Sequence, residues 1–135
     1  MTKKNLNDLT YTIIGAAIEV HKYLGPGLLE SAYQKCLEHE LSLRGVYFLA
    51  QPNVPVYYKE IQIETTLRCD LFVENCIVIE LKAVDSISPI FKAQLFTYMK
   101  LLEAPKGILI NFNCLNLFKD GQQTYVNDLF SLLPE

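Results

Sequence analysis

The chain has no run of about 18 apolar residues, so none of its segments reads as a membrane-crossing helix. It has no CxxC pair. Its four cysteines, Cys36, Cys69, Cys76 and Cys114, sit mostly in or beside apolar runs, without the close ligand spacing of a zinc site, and are expected to be buried free thiols. It has no basic tail or block, and its net charge is −3. That excludes a broad, non-specific nucleic-acid surface but not a small site, because a bound cation brings its own charge. Local motifs give no Ser-His-Asp or Cys-His arrangement. His21 and His39 are lone residues on helical segments, expected at the surface or the edge of the core. Gly25-Pro26-Gly27 lacks the lysine and the preceding strand of a phosphate loop. Repeats, low-complexity stretches and linkers are missing too.

What is present is a chain of 135 residues, half of them hydrophobic, enough for one domain over residues 1–135 with its own core and too apolar for a disordered chain. Met1-Thr2-Lys3-Lys4-Asn5 leads into an amphipathic segment rather than a secretory signal, so a soluble cytoplasmic protein without a membrane partner is expected. Apolar residues at Leu6, Leu9, Ile13, Ala17, Val20 and Leu24 repeat with a helical period. Gly25-Pro26-Gly27 stops that helix. A second helix is expected from Leu28 to Arg44, with Gly45 just beyond its end. Extended pieces follow: residues 46–50, then a hairpin of 54–58 and 61–64 about Lys59-Glu60, then a second hairpin of 67–73 and 76–84. Ser88-Pro89 opens a third helix, Ser as N-cap and Pro at the first helical position. It ends before Pro105. Residues 107–112 form another buried strand, and 124–126 a weak one. This order implies a mixed α/β layer, a sheet covered by helices.

Asp70 and the run Glu80-Leu81-Lys82 are the residues most able to carry chemistry. Glu80 and Lys82 close an aliphatic strand, and alternation puts both on one face with Leu81 on the other. Charges ending a buried strand are costly unless they meet each other, a metal or water. Two acids and a lysine meeting across a hairpin can hold a divalent cation beside a proton-transfer group. The register decides whether they meet. A two-residue loop at Glu74-Asn75 would pair Asp70 with Ile79 and send Glu80 to the opposite face. Setting Asp70 opposite Glu80 requires an odd loop, such as Glu74-Asn75-Cys76 with a bulge, and that irregular turn is expected.

Gln94 and Tyr98 fall within the apolar stripe of the third helix, beside Ile90, Phe91, Leu95, Leu101 and Leu102, and so face either a structural partner or a polar site. Glu30 stands in the first turn of the second helix, where the helix dipole favours an acid. It also flanks the apolar stripe with Tyr33 and Leu37. The aromatic pairs Tyr47-Phe48 and Tyr57-Tyr58 split across strand faces, with no ladder of basic residues between them. Packing at the core and its rim is expected of them, rather than base stacking.

Gly27-Leu28-Leu29-Glu30-Ser31-Ala32-Tyr33 resembles the signature of the small bacterial GxxExxY proteins. Arg68 to Val73, Ile79 to Val84, Gln94 to Tyr98 and Leu109 to Phe112 resemble that family's later blocks, in order and over nearly the whole chain. The family is similar to the PD-(D/E)XK, restriction-endonuclease-like nucleases. The resemblance implies a mixed sheet of four to five strands flanked by helices, and a metal-dependent nuclease acting on nucleic acid, chiefly DNA. It implies that Asp70 and Glu80 bind Mg²⁺ or Mn²⁺ with the Leu81 carbonyl, and that Glu30 joins them directly or through water. Lys82 would orient or deprotonate the attacking water. Gln94 and Tyr98 would support the site or touch the nucleic-acid backbone. A homodimer would suit cleavage of both strands of a duplex. The alternative is a non-catalytic nucleic-acid-binding or protein-interaction module that keeps the fold. The one departure is the turn at Lys59-Glu60, which lacks a glycine that relatives often carry there.

Overall fold

A computed structural model describes residues 1–135. Helix α1 spans Lys3–Leu24 and opens with a reciprocal cap: Asn5 N–H donates to Thr2 Oγ1 at 3.0 Å, and Thr2 N–H donates to Asn5 Oδ1 at 3.1 Å. The cap sets the start three residues before the first apolar contact at Leu6. Helix α2 spans Glu30–Leu43, two residues later than its apolar pattern suggests. Gly27 lies at φ +100° and keeps the chain out of the helix until Leu29.

Strands β1 (Phe48–Ala50), β4 (Leu71–Val73), β5 (Ile77–Lys82), β6 (Lys106–Asn111) and β7 (Gln122–Val126) form one sheet in the order β1-β4-β5-β6-β7. The β5–β6 pair is parallel and the others are antiparallel. Helix α3 (Pro89–Leu101), capped by Ser88 Oγ, makes the crossover from β5 to β6. A π-helical turn (Leu117–Gly121) precedes β7, and a short helix α4 (Asp128–Ser131) follows it. Strands β2 (Val56–Tyr58) and β3 (Ile61–Ile63) pair only with each other.

Alternation along the central strands makes two cores. Ile77, Ile79 and Leu81 of β5 and Ile108 and Ile110 of β6 pack with Leu6, Ile13, Ala17, Tyr33 and Leu37 of α1 and α2. Val78 and Leu109 pack on the other side with Leu95, Tyr98 and Met99 of α3. A sheet covered on both faces explains why β5 and β6 read as continuous apolar runs.

Two expectations fail. Tyr57 and Tyr58 are exposed, because the β2–β3 hairpin stands outside both cores. Ile90 is exposed in the first turn of α3, before the helix reaches the sheet. His21 lies at the edge of the core as expected, where its Nε2 donates to the Cys114 carbonyl at 2.8 Å beside the Phe112 ring. All four cysteines are free thiols; Cys69 and Cys76 are buried and Cys36 and Cys114 half-buried.

Candidate active site

The β4–β5 connection is the odd loop. Val73 pairs with Ile77 and Leu71 with Ile79, leaving Glu74, Asn75 and Cys76 between the strands. Glu74 and Asn75 take φ of 51° and 55°, and Cys76 N–H closes the turn on the Val73 carbonyl at 3.0 Å. Continuing this register sets Asp70 opposite Glu80. Both then share the α3 side of the sheet with Lys82.

The two acids interlock. Leu81 N–H donates to Asp70 Oδ2 at 2.7 Å, and Asp70 N–H donates to Glu80 Oε1 at 3.2 Å. The backbone of Asp70 is held from a third direction, for its carbonyl accepts from Gln51 N–H at 2.9 Å and from Gln34 Nε2 at 3.1 Å. Gln34 lies one turn beyond Glu30 on the same face of α2. Helix α2 therefore fixes Asp70 and presents Glu30 together.

Glu80 is buried, at 5% exposure. Burial first, and the charge of Asp70 second, push its carboxyl well above the usual range. Half-buried Glu30 is raised for the same two reasons, while Lys82 opposes the shift. Tyr98 is pushed up to about 12 by burial and by Glu80, and its oxygen accepts from Gln94 Nε2 at 2.9 Å. Lys82 Nζ stands 4.4 Å from the centroid of the Phe91 ring. The four ion pairs of the chain, Lys3–Glu135, Lys4–Asp8, Lys35–Glu38 and Arg44–Glu40, all lie elsewhere.

Tyr33 shows what the Gly27-to-Tyr33 segment does mechanically. Its ring stacks on Phe112 at 4.4 Å and 4°. Its hydroxyl donates to the Gly25 carbonyl at 2.5 Å and accepts from Leu28 N–H at 3.1 Å. The tyrosine thus ties the glycine turn to the core, and the turn sets where α2 begins and where Glu30 points. Asn111 does the equivalent work beyond Lys82. Its side chain accepts from Val84 N–H at 3.1 Å and donates to the Val84 carbonyl at 2.9 Å. Sequence reasoning missed Gln34, Asn111 and the Phe91–Lys82 contact. The available signals were a polar residue four places after Glu30 and an asparagine closing an apolar strand.

No three His, Cys, Asp or Glu side chains are gathered as a ready cage. What converges is an oxygen-only pair of carboxylates, one of them buried, with no ammonium or guanidinium in ion-pair range of either. Mg²⁺ takes one or two carboxylates and keeps several waters, and a cation would offset the charge that now raises Glu80. The residues fit such an ion.

A family model described as the PD-(D/E)XK nuclease superfamily matches residues 7–124. The chain belongs to that superfamily. The matched span contains Glu30, Asp70, Glu80, Lys82, Gln94 and Tyr98. The PD-(D/E)XK fold is the restriction-endonuclease-like architecture described above, a mixed five-stranded sheet flanked by helices. PD-(D/E)XK nucleases act on nucleic acid and generally use divalent metal ions. No helix of the chain is long and apolar enough to cross a membrane. No curated protein and no solved structure matches the chain significantly.

Proposed function

We propose that this PD-(D/E)XK protein is a metal-dependent phosphodiesterase acting on nucleic acid, DNA before RNA, and that it is a GxxExxY-type member working in the cytoplasm as one domain over residues 1–135. The observation that carries the reading is the interlocked pair Asp70 and Glu80, with Lys82 next on the same sheet face. In this reading Asp70, Glu80 and the Leu81 carbonyl hold Mg²⁺ or Mn²⁺, with Glu30 joining directly or through a water. A bound divalent ion would polarise the phosphoryl oxygen and lower the pKa of a bound water.

The chain's own residues supply the rest. Lys82, leaning on Phe91 and free of any carboxylate partner, orients or deprotonates the attacking water and offsets phosphate charge. Gln94 and Tyr98 form a bonded pair that supports the site or meets the nucleic-acid backbone. Gln34 and Gln51 hold the Asp70 carbonyl, which keeps its carboxylate aimed at the site. Cleavage of both duplex strands would call for a homodimer.

One observation favours a second reading. Each acid already satisfies a backbone N–H of the hairpin, as expected of a non-catalytic nucleic-acid-binding or protein-interaction module that keeps the fold for its structure alone. The deciding experiment is a nuclease assay on single-stranded, duplex and branched DNA and on RNA, with Mg²⁺, Mn²⁺ or EDTA, beside Lys82→Ala and Glu80→Ala. Metal-dependent cleavage lost in both variants is expected. No cleavage on any substrate, together with no metal binding by calorimetry, would decide for the module.

A further inference from the structure

The β1–β4 ladder does not stop at the sheet. Beyond the pair Ala50 and Leu71, Gln51 N–H bonds the Asp70 carbonyl, Asn53 bridges Arg68, and Val54 N–H bonds the Leu67 carbonyl at 2.8 Å. The two chains then continue into the β2–β3 hairpin. Asp70 thus sits where the sheet ends and an arm begins. Six residues lie between it and Ile63, so the base of the hairpin lies within about 25 Å of the acid pair. Val54, Leu67 and Cys69 anchor the arm's root in the α3-side core.

The register gives the arm two unlike faces. Val56 pairs with Ile63 and Tyr58 with Ile61, so these four side chains share one face, while Tyr57 and Gln62 share the other. Apart from the Tyr58 hydroxyl the first face is apolar, yet Tyr58 is 63%, Ile61 64% and Ile63 42% exposed. At the tip Lys59 makes no ion pair, and its Nζ stands 5.4 Å from the Tyr58 ring centroid. An open cleft of about 670 Å³ at the base is lined in part by Gln62 and Thr66.

We propose that this hairpin is a strand-holding arm. Its Val56–Tyr58–Ile61–Ile63 face stacks the unpaired bases of a nucleic acid whose backbone passes on to Asp70, Glu80 and Lys82. The proposal rests on the nuclease reading and adds the form of the substrate, single-stranded or open-ended. Three observations select this occupant. The arm is continuous with the candidate site through the Asp70 backbone. Four side chains are far too few for a stable second copy, which needs about 20–30 residues a side. A chain of net charge −3 without a basic block has little electrostatic hold on a duplex, whereas stacking of a base on Tyr58, with Val56, Ile61 and Ile63 packed beside it, does not depend on charge and requires bases that are not already paired. Lys59 beside Tyr58 puts one cation where a phosphate would flank a stacked base.

The test is binding of a 2-aminopurine-labelled DNA oligonucleotide, single-stranded and as a duplex. It is run in EDTA so that cleavage does not intervene, with the whole chain, Tyr58→Ser, Ile61→Ser and the control Tyr11→Ser, a residue 81% exposed on α1. Tighter binding of the single strand than of the duplex is expected, with the probe quenched. Tyr58→Ser and Ile61→Ser should each weaken the single strand about tenfold while leaving duplex binding and the melting temperature unchanged. Tyr11→Ser should match the wild type. Single-strand binding unchanged in both arm variants would overturn the proposal, as would an equal loss for both DNA forms. A change only in sedimentation mass would also overturn it, assigning the face to a second copy. Cleavage is scored separately with Mg²⁺. Tyr58-dependent binding without any cleavage removes the nuclease reading and keeps the arm. Cleavage without Tyr58-dependent binding does the reverse.

Discussion

Glu80 Oε1 accepts the N–H of Asp70 while Asp70 Oδ2 accepts the N–H of Leu81, so each acid is clamped by the strand that carries the other. The hairpin's geometry and its charge are therefore one problem. The same two bonds that fix the register also hold two carboxyl groups close together, with Glu80 away from water, and the energy of that arrangement depends on what neutralises it.

The stability of the acid pair should depend on pH. Without a divalent ion the Glu80 carboxyl is pushed up to about 9, above its ordinary 4.5, by burial and by Asp70. A carboxyl raised in the folded state contributes its full stability below 4.5, and the contribution is lost as pH rises through the folded value. Glu30 is raised with the same sign. In EDTA the wild type should therefore lose stability from about pH 5 upward. Glu80→Gln keeps an oxygen to accept the Asp70 N–H but does not titrate. It should melt about 3–8 °C above the wild type at pH 8 and within about 2 °C of it at pH 4.5. Thermal melts at the two pH values check this, and an equal difference at both would remove the assigned cause.

Tyr33 should matter through its hydroxyl as well as its ring. Tyr33→Phe keeps the stacking on Phe112 but strips the Gly25 carbonyl and the Leu28 N–H of their partner. The expected cost is about 1–2 kcal/mol in urea denaturation. Tyr33→Ala also opens a cavity beside Phe112 and should cost about 3–5 kcal/mol. If the hydroxyl sets the start of α2, Tyr33→Phe should also weaken divalent-ion binding through Glu30, read by calorimetry. Unchanged ion binding together with lost stability would confine the tyrosine to a packing role.

Asn111 should act beyond the strand it ends. It bonds both polar groups of the Val84 backbone and accepts from Asn113 N–H at 3.2 Å. Asn111→Ala leaves these groups short of partners at a cost of about 1–3 kcal/mol. Lys82 itself stays paired, since its carbonyl accepts Phe112 N–H at 2.9 Å. Cleavage should accordingly fall in Asn111→Ala by less than in Lys82→Ala. A loss equal to that of Lys82→Ala in a folded protein would mean that Asn111 does more than hold the loop.

Periodicity made the helices and the buried strands legible, because each buries one stripe or both faces whatever lies opposite. The loop Glu74-Asn75-Cys76 was legible for a different reason: only an odd loop sets Asp70 across from Glu80. The exposure of Tyr57 and Tyr58 was not legible. The alternation Val56, Tyr58, Ile61, Ile63 is the same whether a core covers that face or solvent does, and the covering element is chosen by distant chain. Gln34 and Asn111 were hidden likewise, since their partners are backbone atoms of Asp70 and Val84, 36 and 27 residues away. Side-chain-to-backbone bonds leave no residue type on the far side to match.

The last prediction probes how closely α3 lies on the sheet. Gly107 in β6 faces α3, and a Cβ there would meet Met99 Sδ at 2.6 Å and Leu95 Cγ and Cδ1 at 3.0 Å. The absence of a side chain is what lets the helix carrying Gln94 and Tyr98 approach the strands carrying Asp70 and Glu80. Gly107→Ala should lift α3 slightly and cost about 1–3 kcal/mol through overpacking. Met99→Ala alone should cost about 2–5 kcal/mol by leaving a cavity. In the double variant the new methyl enters the space that Met99 vacates, so the combined loss should be smaller than the sum of the two. Chemical denaturation of the four proteins measures the coupling. Strictly additive losses would show that the helix has slack, and that its distance from the acid pair is set by something other than Gly107.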